Sequence, residues 1–123
     1  MNLSYEKIGD ILVVRVEEKR LDASKAPAFL QLILERVKAG HQKFVLDLNQ
    51  VSFIDSTGLG AIVTCRKRVG SGGKFAIAGA QGAVARLFAL TRMDKVFTLS
   101  VSVADALAHL EALSRQDSAS GNH

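Results

Sequence analysis

Residues 53 to 60 read F-I-D-S-T-G-L-G, so a carboxylate, two hydroxyls and two glycines fall between apolar flanks. FVLDL lies before them and reads as a strand; LGAIVTCRKRV lies after and has helical spacing. The stretch is therefore a strand-to-helix corner. If Ser56 caps the helix, its hydroxyl accepts from the backbone N–H of Gly58 or Leu59. Gly58 is left unexplained by a cap, since glycine in a helical turn costs about 0.5–1 kcal/mol relative to alanine. A bare backbone there suits the close approach of another molecule, and helix N-termini favour anions. A plain cap and a contact or modification site both fit these residues.

Other chemistry fits less well. A nucleophilic serine needs a base and a G-x-S-x-G elbow, whereas the frame around Ser56 is I-D-S-T-G. His41 follows a helix end, His109 lies within the last helix and His123 is the C-terminal residue, so no pattern places a histidine beside Ser56. GSGGK at 70–74 lacks the spacing of a phosphate loop and precedes a strand, which makes it a turn. Asp47 and Asp55 have no Cys/His cluster to make a metal site with, and Asp47 reads as a strand-end residue satisfying backbone donors. Cys65, mid-helix, reads as a small packing residue. Arg66, Lys67 and Arg68, with Lys74, offer a phosphate-contacting patch, but no aromatic stacking positions accompany them, and a basic run closing a helix complements its dipole. No catalytic residue, cofactor or metal is expected, and no direct nucleic-acid binding.

The elements that position the corner follow from periodicity. SYEKI and ILVVRV are strands joined by Gly9-Asp10, a two-residue hairpin link. LDASKAPAF opens a helix, with Ser24 or Asp22 as its cap and Pro27 in its first turn. Phe29, Leu30, Ile33, Leu34 and Val37 share one face of it, and Gly40 ends it. FVLDL is expected to be buried on both sides. Leu59, Ile62, Val63 and Val69 mark the second helix, closed by GSGG. KFAIA is a strand, AVARLFAL a helix, KVFTL a short strand and ADALAHLEAL a last helix capped by Ser102. This alternation predicts an α/β domain: a mixed, mostly parallel sheet of four to five strands with about four helices and an N-terminal hairpin. Three strand-to-helix turns then share one rim of the sheet: 19–23, 55–58 and 79–82.

Size and charge agree. The chain has 123 residues, 48% of them apolar, which suits one domain burying roughly 60–70% of its unfolded surface. The net charge is +4, from 16 basic and 12 acidic side chains that are interspersed. The single Cys65 forms no internal disulfide, in keeping with a reducing compartment. MNLSYEKIGD lacks the apolar run of a signal peptide, and no stretch nears 18 uninterrupted apolar residues. A cytoplasmic protein without membrane insertion is the expectation. Residues 1–115 are expected to form the domain, and the small, polar 116–123 a disordered tail.

The residues F-I-D-S-T-G-L-G, preceded by V-L-D-L-N-Q-V, resemble the signature of bacterial anti-sigma-factor antagonists, the STAS-domain family. R-L-D-A at 20–23, the length and the β-β-α-β-α-β-α-β-α order are similar to that family too, over about residues 3–113. The resemblance implies a partner switch. The unmodified protein binds an anti-sigma factor that is also a serine kinase, which frees the sigma factor; phosphorylation abolishes binding, and a PP2C-type phosphatase restores it. It implies Ser56 as the acceptor, with Asp22, Asp55, Thr57, Gly58 and Leu59 on the contact surface beside it. On that view Asp22→Ala and Gly58→Val weaken partner binding without changing the far-UV spectrum. A structural or transport-associated STAS domain without a phosphoswitch, with nucleotide binding as an option, is the alternative; it shares the fold.

Overall fold

The structure is a computed structural model and describes residues 1–121, with side chains through residue 113. Strands β1 (Leu3–Ile8) and β2 (Ile11–Val16) pair antiparallel from Leu3–Val16 to Ile8–Ile11. Gly9 turns the chain with φ of 62°, the sign a type II′ hairpin asks of its first turn residue. The chain continues through β3 (Arg20–Leu21), α1 (Ala26–Lys38), β4 (Lys43–Asp47), β5 (Phe53–Ile54), α2 (Ser56–Val69), β6 (Lys74–Ala78), α3 (Gly82–Leu90), β7 (Thr98–Ser100) and α4 (Val103–Gly121). The main sheet has the order β1-β2-β4-β6-β7, and every pairing after the hairpin is parallel. The α/β architecture, the mixed sheet, the hairpin and the four helices are those read from the alternating pattern.

Both faces of the sheet are buried, which is why its central strands are apolar throughout. Leu12, Val14, Phe44, Leu46, Phe75 and Ile77 point to one side, where Phe29 and Ile33 of α1, Ile62 and Cys65 of α2 and Phe88 of α3 complete the larger core. Ile11, Val13, Val45, Ala76 and Ala78 point to the other, against Ala106 and Leu110 of α4. Alanines at 76, 78 and 106 let that single helix lie close to the strands. Cys65 is fully buried, and desolvation pushes its thiol up to about 12. It packs as a small apolar side chain in the core.

Four details depart from the pattern reading. Neither Asp22 nor Ser24 caps α1: the helix begins after Lys25, which has no side-chain cap, and Pro27 sits in its first turn. Asp22 instead closes its own turn, accepting from Ser24 N–H at 3.1 Å and Ser24 Oγ at 2.6 Å, while its carbonyl accepts from Lys25 and Ala26. KVFTL is not all strand: Met93–Lys95 form a short 3-10 turn after left-handed Arg92, and only Thr98–Ser100 pair with β6. β3 and β5 form a separate two-stranded parallel ladder. Finally, α4 carries helical backbone to Gly121, into the segment expected as a tail. Residues 122–123 lie outside the described residues. Ser102 does cap α4, accepting from Asp105 N–H at 3.1 Å.

Candidate functional site

The small β3–β5 ladder carries the candidate site. Pairing Arg20 with Phe53 and Leu21 with Ile54 brings the end of the 19–23 turn beside the start of α2. Asp55 follows β5 in extended conformation and is the N-cap of α2. Its Oδ1 accepts from Gly58 N–H at 2.8 Å and its Oδ2 from Ala23 N–H at 2.9 Å. One carboxylate thus caps the helix and ties it to the Asp22 loop.

Ser56 is therefore not the cap. It is the first residue of α2, exposed, with Thr57 exposed beside it. Asp and Ser cap almost equally well, so the pair Asp55-Ser56 is ambiguous by propensity. The ladder decides between them, because it sets Asp55 within reach of both Gly58 and Ala23. Substitutions separate the roles. Asp55→Ala should cost about 2 kcal/mol, combining a lost cap with a lost loop tie. Ser56→Ala should change stability by no more than about 0.5 kcal/mol, as exposed positions away from special features do. Urea melts of both variants would check this, and an equal loss in the two would return the cap to Ser56.

Gly58 has a structural cause other than an approaching partner. A Cβ there would lie 2.1 Å from the Leu21 carbonyl oxygen and 3.1 Å from Ile54 Cγ2. Gly58 and Leu59 are both buried, so they hold the corner in place from beneath, and its outward surface is Ser56, Thr57 and the loop at 22–24. On that loop the Ser24 hydroxyl, and then Arg20 at 3.5 Å, hold the Asp22 carboxyl below its usual range. Arg20 also lies over the ring of Phe53, 4.3 Å from its centroid, and Phe53 is 38% exposed. The third turn joins through the loop after β4: Gln81 Nε2 donates to Asn49 O at 3.2 Å, and Gly79, with φ of 75°, packs against Asn49. The same loop starts where Asp47 Oδ1 accepts from Asn49 N–H at 2.9 Å, the strand-end role read from FVLDL.

The STAS domain family model matches residues 2–106 of this chain. The chain belongs to the STAS domain family. A Thermotoga maritima protein named as an anti-sigma factor antagonist is 31% identical over 103 residues, spanning 82% of this chain and 91% of its own. A Thermotoga neapolitana homologue of the same description is 30% identical over 107 residues, spanning 85% of this chain and 95% of its own. The crystal structure of an anti-sigma factor antagonist from Mycobacterium paratuberculosis superposes with a TM-score of 0.83 at 29% identity, covering 89% of this chain and 93% of that one. The Bacillus cell fate determinant SpoIIAA, solved in a phosphorylated form, shares the fold with a TM-score of 0.69 at 14% identity, covering 89% of this chain and 99% of that one.

In this STAS domain the D-S-T-G segment and the R-L-D-A segment are thus one structural unit, joined by the β3–β5 ladder and the Asp55–Ala23 bond. The other sequence candidates lie elsewhere. Arg66, Lys67 and Arg68 occupy the last turn of α2, at the end remote from Ser56. Among the described residues no three His, Cys, Asp or Glu side chains gather as a metal site, and no helix is long and apolar enough to cross a membrane.

Proposed function

We propose that this STAS domain is an anti-sigma factor antagonist that works as a phosphorylation-controlled partner switch, with Ser56 as the acceptor. One observation carries the reading: Asp55 takes over the capping of α2, so the exposed Ser56 hydroxyl is released from any duty to the fold. Its unmodified rim binds an anti-sigma factor that is also a serine kinase, and the sigma factor is freed. The kinase transfers the γ-phosphoryl group of ATP to Ser56 Oγ; the hydroxyl proton leaves and ADP is released. A PP2C-type phosphatase then hydrolyses the ester with water, restoring the hydroxyl and releasing inorganic phosphate.

The local electrostatics tolerate both states. The first N–H groups of a helix have no intrahelical acceptor, and the positive end of the dipole favours an anion there. A phosphate on Ser56 adds about −1.5 to −2 charge and three acceptor oxygens at that place. The Bacillus protein solved in phosphorylated form has the same fold. Asp22, Asp55 and Thr57 flank Ser56 as contact residues, while Gly58 and Leu59 act by holding the corner in place. The segment's polar surface and the anti-sigma factor antagonist relatives support a regulatory binding role in the cytoplasm.

Incubation with the cognate kinase and ATP, followed by peptide mass spectrometry, should place the phosphate on Ser56. Phosphate on Thr57 alone, or on Ser118 or Ser120, would end the assignment. Asp22→Ala should weaken kinase binding while the far-UV spectrum stays near wild type, since it removes a loop carboxylate and no core contact. Unchanged affinity by calorimetry would move the contact surface away from this loop.

A further inference from the structure

A concave pocket of about 530 Å3 opens at the far end of α2, lined by the last turn of that helix, the 70–73 turn, the start of β6, the approach to β7 and the face of α4. Its size is that of a small-molecule site. Its lining divides by chemistry. Phe75, Val96, Leu110 and Leu113 supply an apolar wall, and Phe75 and Leu110 are buried. Arg66, Lys67 and Lys74 line the rest, and among the described residues no carboxylate lines the pocket. Arg66 and Lys67 are exposed and form no ion pair among the described residues.

Complementing the helix dipole explains cations in a last turn, but it does not require them to border an apolar cavity. Here the guanidinium of Arg66 is also held 5.8 Å from the centroid of the Phe97 ring. That contact sets a planar bidentate donor beside the pocket. Ser71, in the glycine-rich turn, lines the same pocket, and its N–H has no acceptor among the described residues. The turn itself is fixed by Gly73, where a Cβ would lie within 2.4 Å of the Gln42 carbonyl oxygen.

The geometry points to a binding site for a small organic anion, a phosphate or carboxylate head on an aromatic or aliphatic body. The head pairs with Arg66 and Lys67, and the body lies on Phe75, Val96 and Leu110. The site is separate from the Ser56 rim and does not depend on the partner switch.

The test is a titration of the full chain with 1-naphthyl phosphate, followed by amide NMR, with 1-naphthol and inorganic phosphate as body-only and head-only probes. Saturable shifts are expected at Arg66, Ser71, Lys74 and Thr98, and each partial probe should bind at least about tenfold more weakly, a loss of roughly 1.4 kcal/mol. Arg66→Gln with Lys67→Glu should weaken the naphthyl phosphate by at least the same factor, whereas Ser56→Asp should leave it unchanged. Both substituted side chains are exposed, so the fold should persist, and the three-probe comparison on the wild type stands without the variant. Shifts that do not saturate or that fall elsewhere would overturn the site. Equal binding of 1-naphthol would reduce it to a bare apolar patch, and equal binding of inorganic phosphate to adventitious charge; either result overturns the proposal.

Discussion

On the proposed partner switch, protein phosphorylated on Ser56 should bind an anti-sigma factor kinase about 1,000-fold more weakly than unmodified protein, a difference of about 4 kcal/mol. The cause is local. Ser56 sits outward at the first residue of α2, with the Asp55 carboxylate directly before it and the Asp22 carboxylate on the adjoining loop. Free in water, the new dianion is solvated and favoured by the helix end. Packed against a partner, it must lose water while facing two carboxylates, and a buried charge without compensation costs several kcal/mol. Substitutions should grade the effect. Ser56→Ala keeps a neutral corner and should bind like unmodified protein but never be released. Ser56→Asp adds a single charge on a shorter side chain, so its loss of affinity should fall between the two. Isothermal calorimetry on the three forms decides it. If Ser56→Asp bound as tightly as Ser56→Ala, charge at this corner would not be the switch.

Gly58→Ala should destabilise the domain by roughly 3 kcal/mol, the upper end for forced overpacking. Helix propensity alone argues the other way, because alanine is better than glycine inside a helix by about 1 kcal/mol. The added methyl carbon would meet the Leu21 carbonyl oxygen at 2.1 Å, and that atom belongs to the β3–β5 ladder and cannot rotate aside. Relief requires α2 to move away from the ladder, which breaks the Asp55–Ala23 bond as well. Gly58→Val should be worse. The expectation that Gly58→Val perturbs only partner binding therefore does not hold for this fold, and its far-UV spectrum and melting point should both change. A Gly58→Ala variant that melts at or above wild type would show that α2 can shift freely, and would reopen Gly58 as a contact residue.

The polarity of the corner and the architecture around it were legible in the chain itself. The near-continuous apolar runs of ILVVRV, FVLDL and KFAIA record strands buried on both faces, and the helical spacing of Phe29, Ile33, Ile62 and Phe88 records which side of each helix faces the core; both patterns survive without knowledge of neighbours. The glycine after α1, the Ser102 cap and the Asp47 strand end were local as well, because each is satisfied by backbone a few residues away. What only the tertiary structure decided was contributed from a distance. Two-residue strands carry no periodicity, so the ladder of Arg20–Leu21 with Phe53–Ile54 left no pattern to read. That ladder brings Leu21 and Ala23 against the start of α2. Once they are there, Asp55 rather than Ser56 must be the cap, since only its carboxylate meets Gly58 and Ala23 together. Gly58 must be glycine because of a carbonyl that lies far from it in sequence. Two adjacent residues of nearly equal capping propensity were thus given different roles, Asp55 to the fold and Ser56 to the surface, by hydrogen-bond donors and steric limits that exist only once the chain is folded.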